Sequence, residues 1–180
     1  MKTNRLVAMV ITTVVFFTMI GSSAVSACSW IDVNQTYSTA LVKTKIADVQ
    51  KIQTFLNSLY TTPNCGTPDG YYGDKTATAI TNFQTLNVLD IDGKSGPNTN
   101  KRLHFLYDNR TKLYKATSNL KVRSGPGTNY AELYTMKQGA IVVEISRNTS
   151  TGWSYVNYFY NNKGAEYGTG YVSYGYIAKI

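Results

Sequence analysis

The sequence predicts an α+β chain, with a small three-helix domain followed by a small all-β barrel. Three observations give this. Between residues 46 and 106, apolar side chains recur at three- and four-residue steps, the spacing of one helix face. From residue 114 onward, short runs alternate apolar and polar residues between glycine turns, as half-buried strands do. The composition also shifts near residue 113: Cys28 to Leu113 holds nine Lys/Arg against seven Asp. Tyr114 to Ile180 holds seven Lys/Arg, three Glu, ten Tyr and eight Gly. The expected division is a leader at 1–27, a helical domain at 28–107, a linker at 108–113 and a barrel at 114–180.

At the N-terminus, Lys2 and Arg5 precede an apolar run from Leu6 to Ile20, and small residues follow up to Ala27. This is the layout of a secretory signal, with Val25 and Ala27 suited to a peptidase that wants small residues before its cut. The run is too short for a membrane span, and no later stretch could cross a bilayer. The chain has two cysteines, Cys28 and Cys65. After export into an oxidising space they are expected to pair. Val25-Ser26-Ala27-Cys28 also fits a lipoprotein box, so a lipid anchor at Cys28 is the alternative.

In the helical half, Ile46, Val49, Ile52, Phe55, Leu56 and Leu59 form the first apolar stripe. Ala79, Ile80, Phe83 and Leu86 form a second, and Leu103 and Leu106 a third. An internal echo precedes the last two. Asp69-Gly70-Tyr71-Tyr72-Gly73-Asp74-Lys75-Thr76 is matched by Asp92-Gly93-Lys94-Ser95-Gly96-Pro97-Asn98-Thr99, both reading Asp-Gly-x-x-Gly-x-x-Thr. Each Asp-Gly predicts a tight turn and each second glycine a helix start. Asp74 and Pro97 fall in the first helical turn, where an acid or a proline is favoured.

With Val49-Gln50-x-Ile52-Gln53-x-x-Leu56 ahead of the echo and Phe83-Gln84 inside it, residues 48–106 resemble the three-helix peptidoglycan-binding domain of cell-wall hydrolases. The departures are Ile52, where leucine is usual, and a loop lengthened by Thr61-Thr62-Pro63-Asn64-Cys65. A disulfide could tie that loop to the N-terminal arm. Of the adjacent pair Tyr71 and Tyr72, one is expected to face inward and the other outward. An outward tyrosine beside a turn is a platform for a sugar ring or a peptide stem. Asp69, Tyr71, Tyr72 and Lys75 are therefore the candidate contacts of this half.

The second half opens with Leu120-Lys121-Val122-Arg123-Ser124-Gly125-Pro126-Gly127-Thr128, a strand running into a sharp turn. Gly125 and Gly127 are read as supplying backbone angles closed to other residues. Further strands are expected at Tyr130–Tyr134, Ala140–Ile145, Trp153–Tyr158 and Gly170–Ser173, with Trp153, Val156, Val143 and Val122 in the core. The opening motif, the central Gly152-Trp153-Ser154-Tyr155-Val156 and the closing Gly170-Tyr171-Val172 with Tyr176-Ile177 resemble the bacterial SH3-like domain. That resemblance implies a groove for wall peptides involving Arg123, Tyr130, Tyr155 and Tyr171. Arg123 reads equally well as a brace of the loop.

Composition bounds the chemistry. The single histidine, His104, excludes a zinc site with two or more histidines, and no metal or cofactor is expected. No catalytic residue is assigned, because Cys65 lies in a loop with a second cysteine available and no segment resembles a hydrolase. The chain is basic, with a formal net charge of +8. It lacks the clustered basic runs of a nucleic-acid binder. An anionic, carbohydrate-bearing partner suits it better.

The expectation is a secreted or wall-associated, non-catalytic protein that binds peptidoglycan by glycan strand or peptide stem. The alternatives are an accessory or inhibitory protein bound to another wall protein, and the targeting subunit of a separate hydrolase. Each half carries its own apolar set and is expected to bury a core alone.

Overall fold

The computed structural model describes residues 30–41 and 43–180. The leader at 1–27 and Cys28 lie outside the described residues. Helices α1 (Ala47–Leu59), α2 (Asp74–Leu86) and α3 (Pro97–Asp108) come first, and seven strands follow. These are β1 (Leu113–Ala116), β2 (Leu120–Arg123), β3 (Glu132–Met136), β4 (Ile141–Asn148), β5 (Trp153–Tyr158), β6 (Gly168–Ser173) and β7 (Ile177–Lys179). Among the described residues, no helix is long and apolar enough to cross a membrane.

Helices α2 and α3 begin where the sequence places their starts. Gly73 and Gly96 are the N-caps of α2 and α3, with Asp74 and Pro97 in their first turns. Neither cap has a side-chain hydrogen bond; the preceding turns hold these helix starts instead. Val49, Ile52, Leu56, Ile80, Phe83, Leu103 and Leu106 are buried where the three helices meet. Residues 30–41 form an arm laid over this bundle. Tyr37 and Ser95 exchange backbone hydrogen bonds of 3.0 and 2.9 Å, and the Asn100 amide donates to the Gln35 carbonyl at 2.8 Å.

The strands form one antiparallel sheet in the order β3-β2-β6-β5-β4-β1-β7, curled around its own core. Val122, Val142, Val156 and Val172 are each fully shielded inside it. β1 and β7 were not anticipated. Each is short and owes its existence to pairing, β1 with β4 and with β7. Trp153, expected in the core, stands on the outer face. β5 alternates half-buried and buried positions from its first residue, which turns Ser154, Val156 and Tyr158 inward and Trp153 outward.

The barrel buries a core of its own, but the helical core is built by both halves. Ile141, Val142 and Val143 are all buried, and the period-two alternation of β4 sends Val142 into the barrel and Ile141 and Val143 into the helical cluster. Leu113 and Phe159 join that cluster too. The polar stretch expected as a linker is ordered: Asp108 ends α3, Arg110–Lys112 make a 3-10 turn and Leu113 opens β1.

Arg102 locks the junction. It is fully buried, and its guanidinium donates to the carbonyls of Gly164, Asn87 and Asn161. The same group lies 3.6 Å from the centroid of the Phe159 ring. Burial pulls its pKa down to about 9, still above neutrality, so it is charged at pH 7. Lys115 adds a hydrogen bond of 2.6 Å to the Leu59 carbonyl.

Candidate functional site

Two regions were singled out by sequence, and the structure treats them differently. In the helical half, the repeated turns are organised by buried glutamines. Gln53 on α1 donates to the Asp69 carboxylate, the Tyr71 carbonyl and the Thr76 hydroxyl, each at 3.0 Å. Its oxygen accepts from the backbone N–H groups of Asp69 and Gly70 at 3.0 and 2.9 Å. Gln84 on α2 repeats the pattern, donating to the Asp92 carboxylate, the Lys94 carbonyl and the Thr99 hydroxyl. Its oxygen accepts from the N–H groups of Asp92 and Gly93. The echo in the sequence is thus a repeated hydrogen-bonding unit in which one amide fixes a turn and the helix start after it.

This changes the reading of the candidate contacts. The Asp69 carboxylate accepts from Gln53 and from the Tyr71 N–H at 2.9 Å, so its bonding serves the turn. The Gln53 hydrogen bond, first among the causes, holds its pKa below the usual carboxylate range. Tyr72 is corrected from a contact to a core residue: it is fully buried and its hydroxyl donates to the Gly93 carbonyl at 2.9 Å. Tyr71 is the outward member of the pair and Lys75 is exposed. Neither glutamine is among the candidate contacts, yet both organise the turns. Their shared signal was an apolar-Gln pair, Ile52-Gln53 and Phe83-Gln84, inside each apolar stripe.

In the barrel, three of the four candidates share a face, and the fourth, Tyr130, is tied to them through its backbone carbonyl. Tyr171 on β6 pairs with Tyr155 on β5 and with Arg123 on β2, so the three side chains share the sheet's outer face. The tyrosine rings are 4.9 Å apart, centroid to centroid, and tilted by 39°. Arg123 donates to the Tyr130 carbonyl at 2.8 Å, which makes it a brace of the β2–β3 loop as well as a member of this face. Along the same face, Trp153 pairs with Ser173. Arg123, Trp153, Ser173 and Tyr176 line a shallow groove of about 240 Å³.

Gly125 and Gly127 are needed for a reason other than the one expected. Neither has a positive φ. A Cβ on Gly125 would press into the Tyr130 ring, and one on Gly127 would meet the Asn129 side chain. The loop is glycine-rich because the exposed Tyr130 ring lies directly on its backbone.

Cys65 is buried and has no disulfide partner among the described residues; its expected partner, Cys28, lies outside them. Burial first, and the Asp69 charge second, push its thiol up to about 12. A thiol so shifted is protonated at neutral pH and is a poor nucleophile. Asn57 holds its loop, accepting from the Cys65 N–H at 2.8 Å and donating to the Gly66 carbonyl at 2.7 Å.

A three-helix unit with glutamine-pinned turns, joined to a small curled sheet with an aromatic outer face, has the form of a two-module binding protein. Comparison with known proteins agrees. Residues 45–103 match the family described as "Putative peptidoglycan binding domain", and residues 118–178 match the bacterial SH3 domain. The chain therefore carries a peptidoglycan-binding domain followed by a bacterial SH3 domain.

Among curated proteins, a probable N-acetylmuramoyl-L-alanine amidase of Bacillus licheniformis is 44% identical over 59 residues, 31% of this chain and 17% of the relative. The N-acetylmuramoyl-L-alanine amidase CwlL of Bacillus licheniformis is 42% identical over 62 residues, 32% of this chain and 17% of its own length. The chain thus spans about a sixth of the curated relatives it matches. No solved structure matches it.

Proposed function

We infer that this is an exported, non-catalytic protein that holds peptidoglycan through both modules. The helical module takes the glycan strand, and the outer face of the barrel takes peptide stems or cross-bridges. The observation that carries the reading is the pairing of a peptidoglycan-binding domain with a bacterial SH3 domain whose outer face gathers Arg123, Tyr155 and Tyr171. Adjacent tyrosines beside an arginine offer a peptide both apolar surface and a carboxylate partner.

The amidases resemble this chain over a stretch that is a small part of their length, so attachment rather than hydrolysis is what the likeness supports. The burial of Cys65 favours the same view, whether it is a thiol or half of a disulfide. Export rests on the charged, apolar, small-residue leader, after which Cys28 is either paired with Cys65 or lipidated. The test is co-sedimentation with purified, protein-free sacculi. The protein is expected to pellet with them and to release neither muropeptides nor reducing sugar. Pelleting only when a second wall protein is added would overturn direct binding, and released fragments would overturn the non-catalytic reading.

A further inference from the structure

Both domain matches leave out Trp30, in the N-terminal arm, and Tyr107 and Arg110, at the end of α3 and just beyond it. These three residues meet on the outer side of α1. With Phe55 and Lys51 they line a groove of about 660 Å³, broader than the one on the barrel. The Trp30 and Tyr107 rings are parallel, 4.3 Å apart with an interplanar angle of 6°. Phe55 stands edge-on to both, at 5.1 and 5.5 Å. These three separations put Phe55 beside the stacked pair, not over the face of Trp30 that points away from Tyr107. His104 stands edge-on to Trp30 at 6.5 Å. The Arg110 guanidinium lies 4.6 Å from the Tyr107 ring centre.

The arm that delivers Trp30 is fastened. The Asp32 N–H donates to the Asp48 carboxylate at 2.9 Å, and the Asn100 amide donates to the Asp32 carbonyl at 3.3 Å. Trp30 is therefore held in place before any ligand arrives, which lowers the ordering cost of binding. The lining has an aromatic wall and two cations: Lys51 is paired with Asp48 at 2.9 Å beside the groove and keeps further N–H donors, and Arg110 gives one of its five donors to the Tyr107 carbonyl. Gln50 and Thr54, whose amide and hydroxyl donate to the Pro68 and Gln50 carbonyls, add exposed acceptor oxygens. Aromatic faces accept the C–H face of a sugar ring, cations accept a carboxylate, and amides and hydroxyls match acetamido and hydroxyl groups.

We propose that this groove binds the glycan strand of peptidoglycan, with one sugar ring against the Trp30–Tyr107 wall and the carboxylate-bearing substituent of its neighbour at Lys51 and Arg110. This rests on the wall-binding reading above and gives the helical module its glycan contact. It takes over the role expected of the Asp69–Lys75 turn, where Tyr72 is buried and the Asp69 carboxylate is engaged by Gln53.

The chain has two tryptophans, Trp30 and Trp153, one in each groove. Trp153→Phe leaves Trp30 as sole reporter, and Trp30→Phe leaves Trp153. Each full chain is titrated with a peptide-free tetrasaccharide of alternating N-acetylglucosamine and N-acetylmuramic acid, and with chitotetraose as the uncharged counterpart. Emission from Trp30 should shift saturably with both sugars, and emission from Trp153 should not move. The charged sugar should bind about three- to tenfold more tightly, as two exposed charge pairs allow. Lys51→Ala combined with Arg110→Ala should erase that preference while leaving chitotetraose binding intact. A silent Trp30, a response confined to Trp153, or a preference that survives the double substitution would each overturn the proposal. The same proteins are spun with sacculi in parallel. A chain that pellets while Trp30 stays silent loses this groove but keeps wall binding; a chain that does not pellet loses wall binding itself.

Discussion

Replacing Arg102 tests whether the two modules fold as one. In Arg102→Ala, the carbonyls of Gly164, Asn87 and Asn161 lose their donor inside a fully buried site, and the Phe159 ring loses the cation above it. Each buried carbonyl left unpaired costs about 1–3 kcal/mol. A desolvated cation–π contact adds about 2 kcal/mol. Part of this is recovered because the variant no longer desolvates a guanidinium, and water can enter the space left behind. A net loss of about 4 kcal/mol follows, at the upper end for single substitutions.

In a urea titration of the full chain, with a slope of about 2 kcal/mol/M, the midpoint should fall by about 2 M. The shape of the transition is as informative as its position. Because Ile141, Val143, Leu113 and Phe159 belong to the helical cluster, the wild-type chain should unfold in one step seen alike by helical circular dichroism and tyrosine fluorescence. Arg102→Ala should separate the two signals. A midpoint change under about 0.5 M, corresponding to about 1 kcal/mol, would refute the view that Arg102 locks the junction. Two separate wild-type transitions would refute coupling through the helical core that both halves build.

Gln84→Leu should destabilise the chain by about 2–3 kcal/mol, since it strips partners from backbone groups of the second turn, and should speed hydrogen exchange at the Asp92 and Gly93 amides most. Asp69 has a depressed pKa in the fold, so its contribution is present above its unfolded value of about 4 and is lost as pH falls through the folded value. Asp69→Asn keeps an acceptor for Gln53 and Tyr71, and its stability should therefore decline less between neutral pH and pH 2, measured by urea midpoints. Gly125→Ala should cost about 1–3 kcal/mol by displacing the Tyr130 ring, whereas Gly175→Ala, with nothing within 4 Å, should cost far less in the same titration.

Much of this architecture was legible because periodicity is a local signal. The stripe from Val49 to Leu59, and the pair Leu103 and Leu106, declared their helices directly. Arg102 could have been read the same way: with Thr99, Leu103 and Leu106 it sits at three- and four-residue steps on the buried face of α3. Its charge keeps it out of any stripe defined by apolar residues alone. Trp153 misled for the reason that a large aromatic residue suggests a core, while the alternation along β5 already placed it with Tyr155. β1 and β7 left no local trace, because strands this short are defined by partners far along the chain. The barrel half's share in the helical core was hidden for a related reason. An unbroken apolar run such as Ile141-Val142-Val143 shows that both faces of β4 are covered, and says nothing about what covers each.

That strand has a consequence for how the chain would meet a wall. A flexible tether lets two weak sites find whatever spacing their ligand offers. Here β4 is a wall common to both modules, with Ile141 and Val143 on one side and Val142 on the other. The grooves at Trp30 and at Trp153 are then held at one separation and one mutual angle. On the proposed two-site binding, such a molecule would work as a gauge. It would gain from double attachment only where a glycan strand and a neighbouring stem present themselves at the matching distance, so tightness of binding would depend on the weave of the mesh as well as on its chemistry.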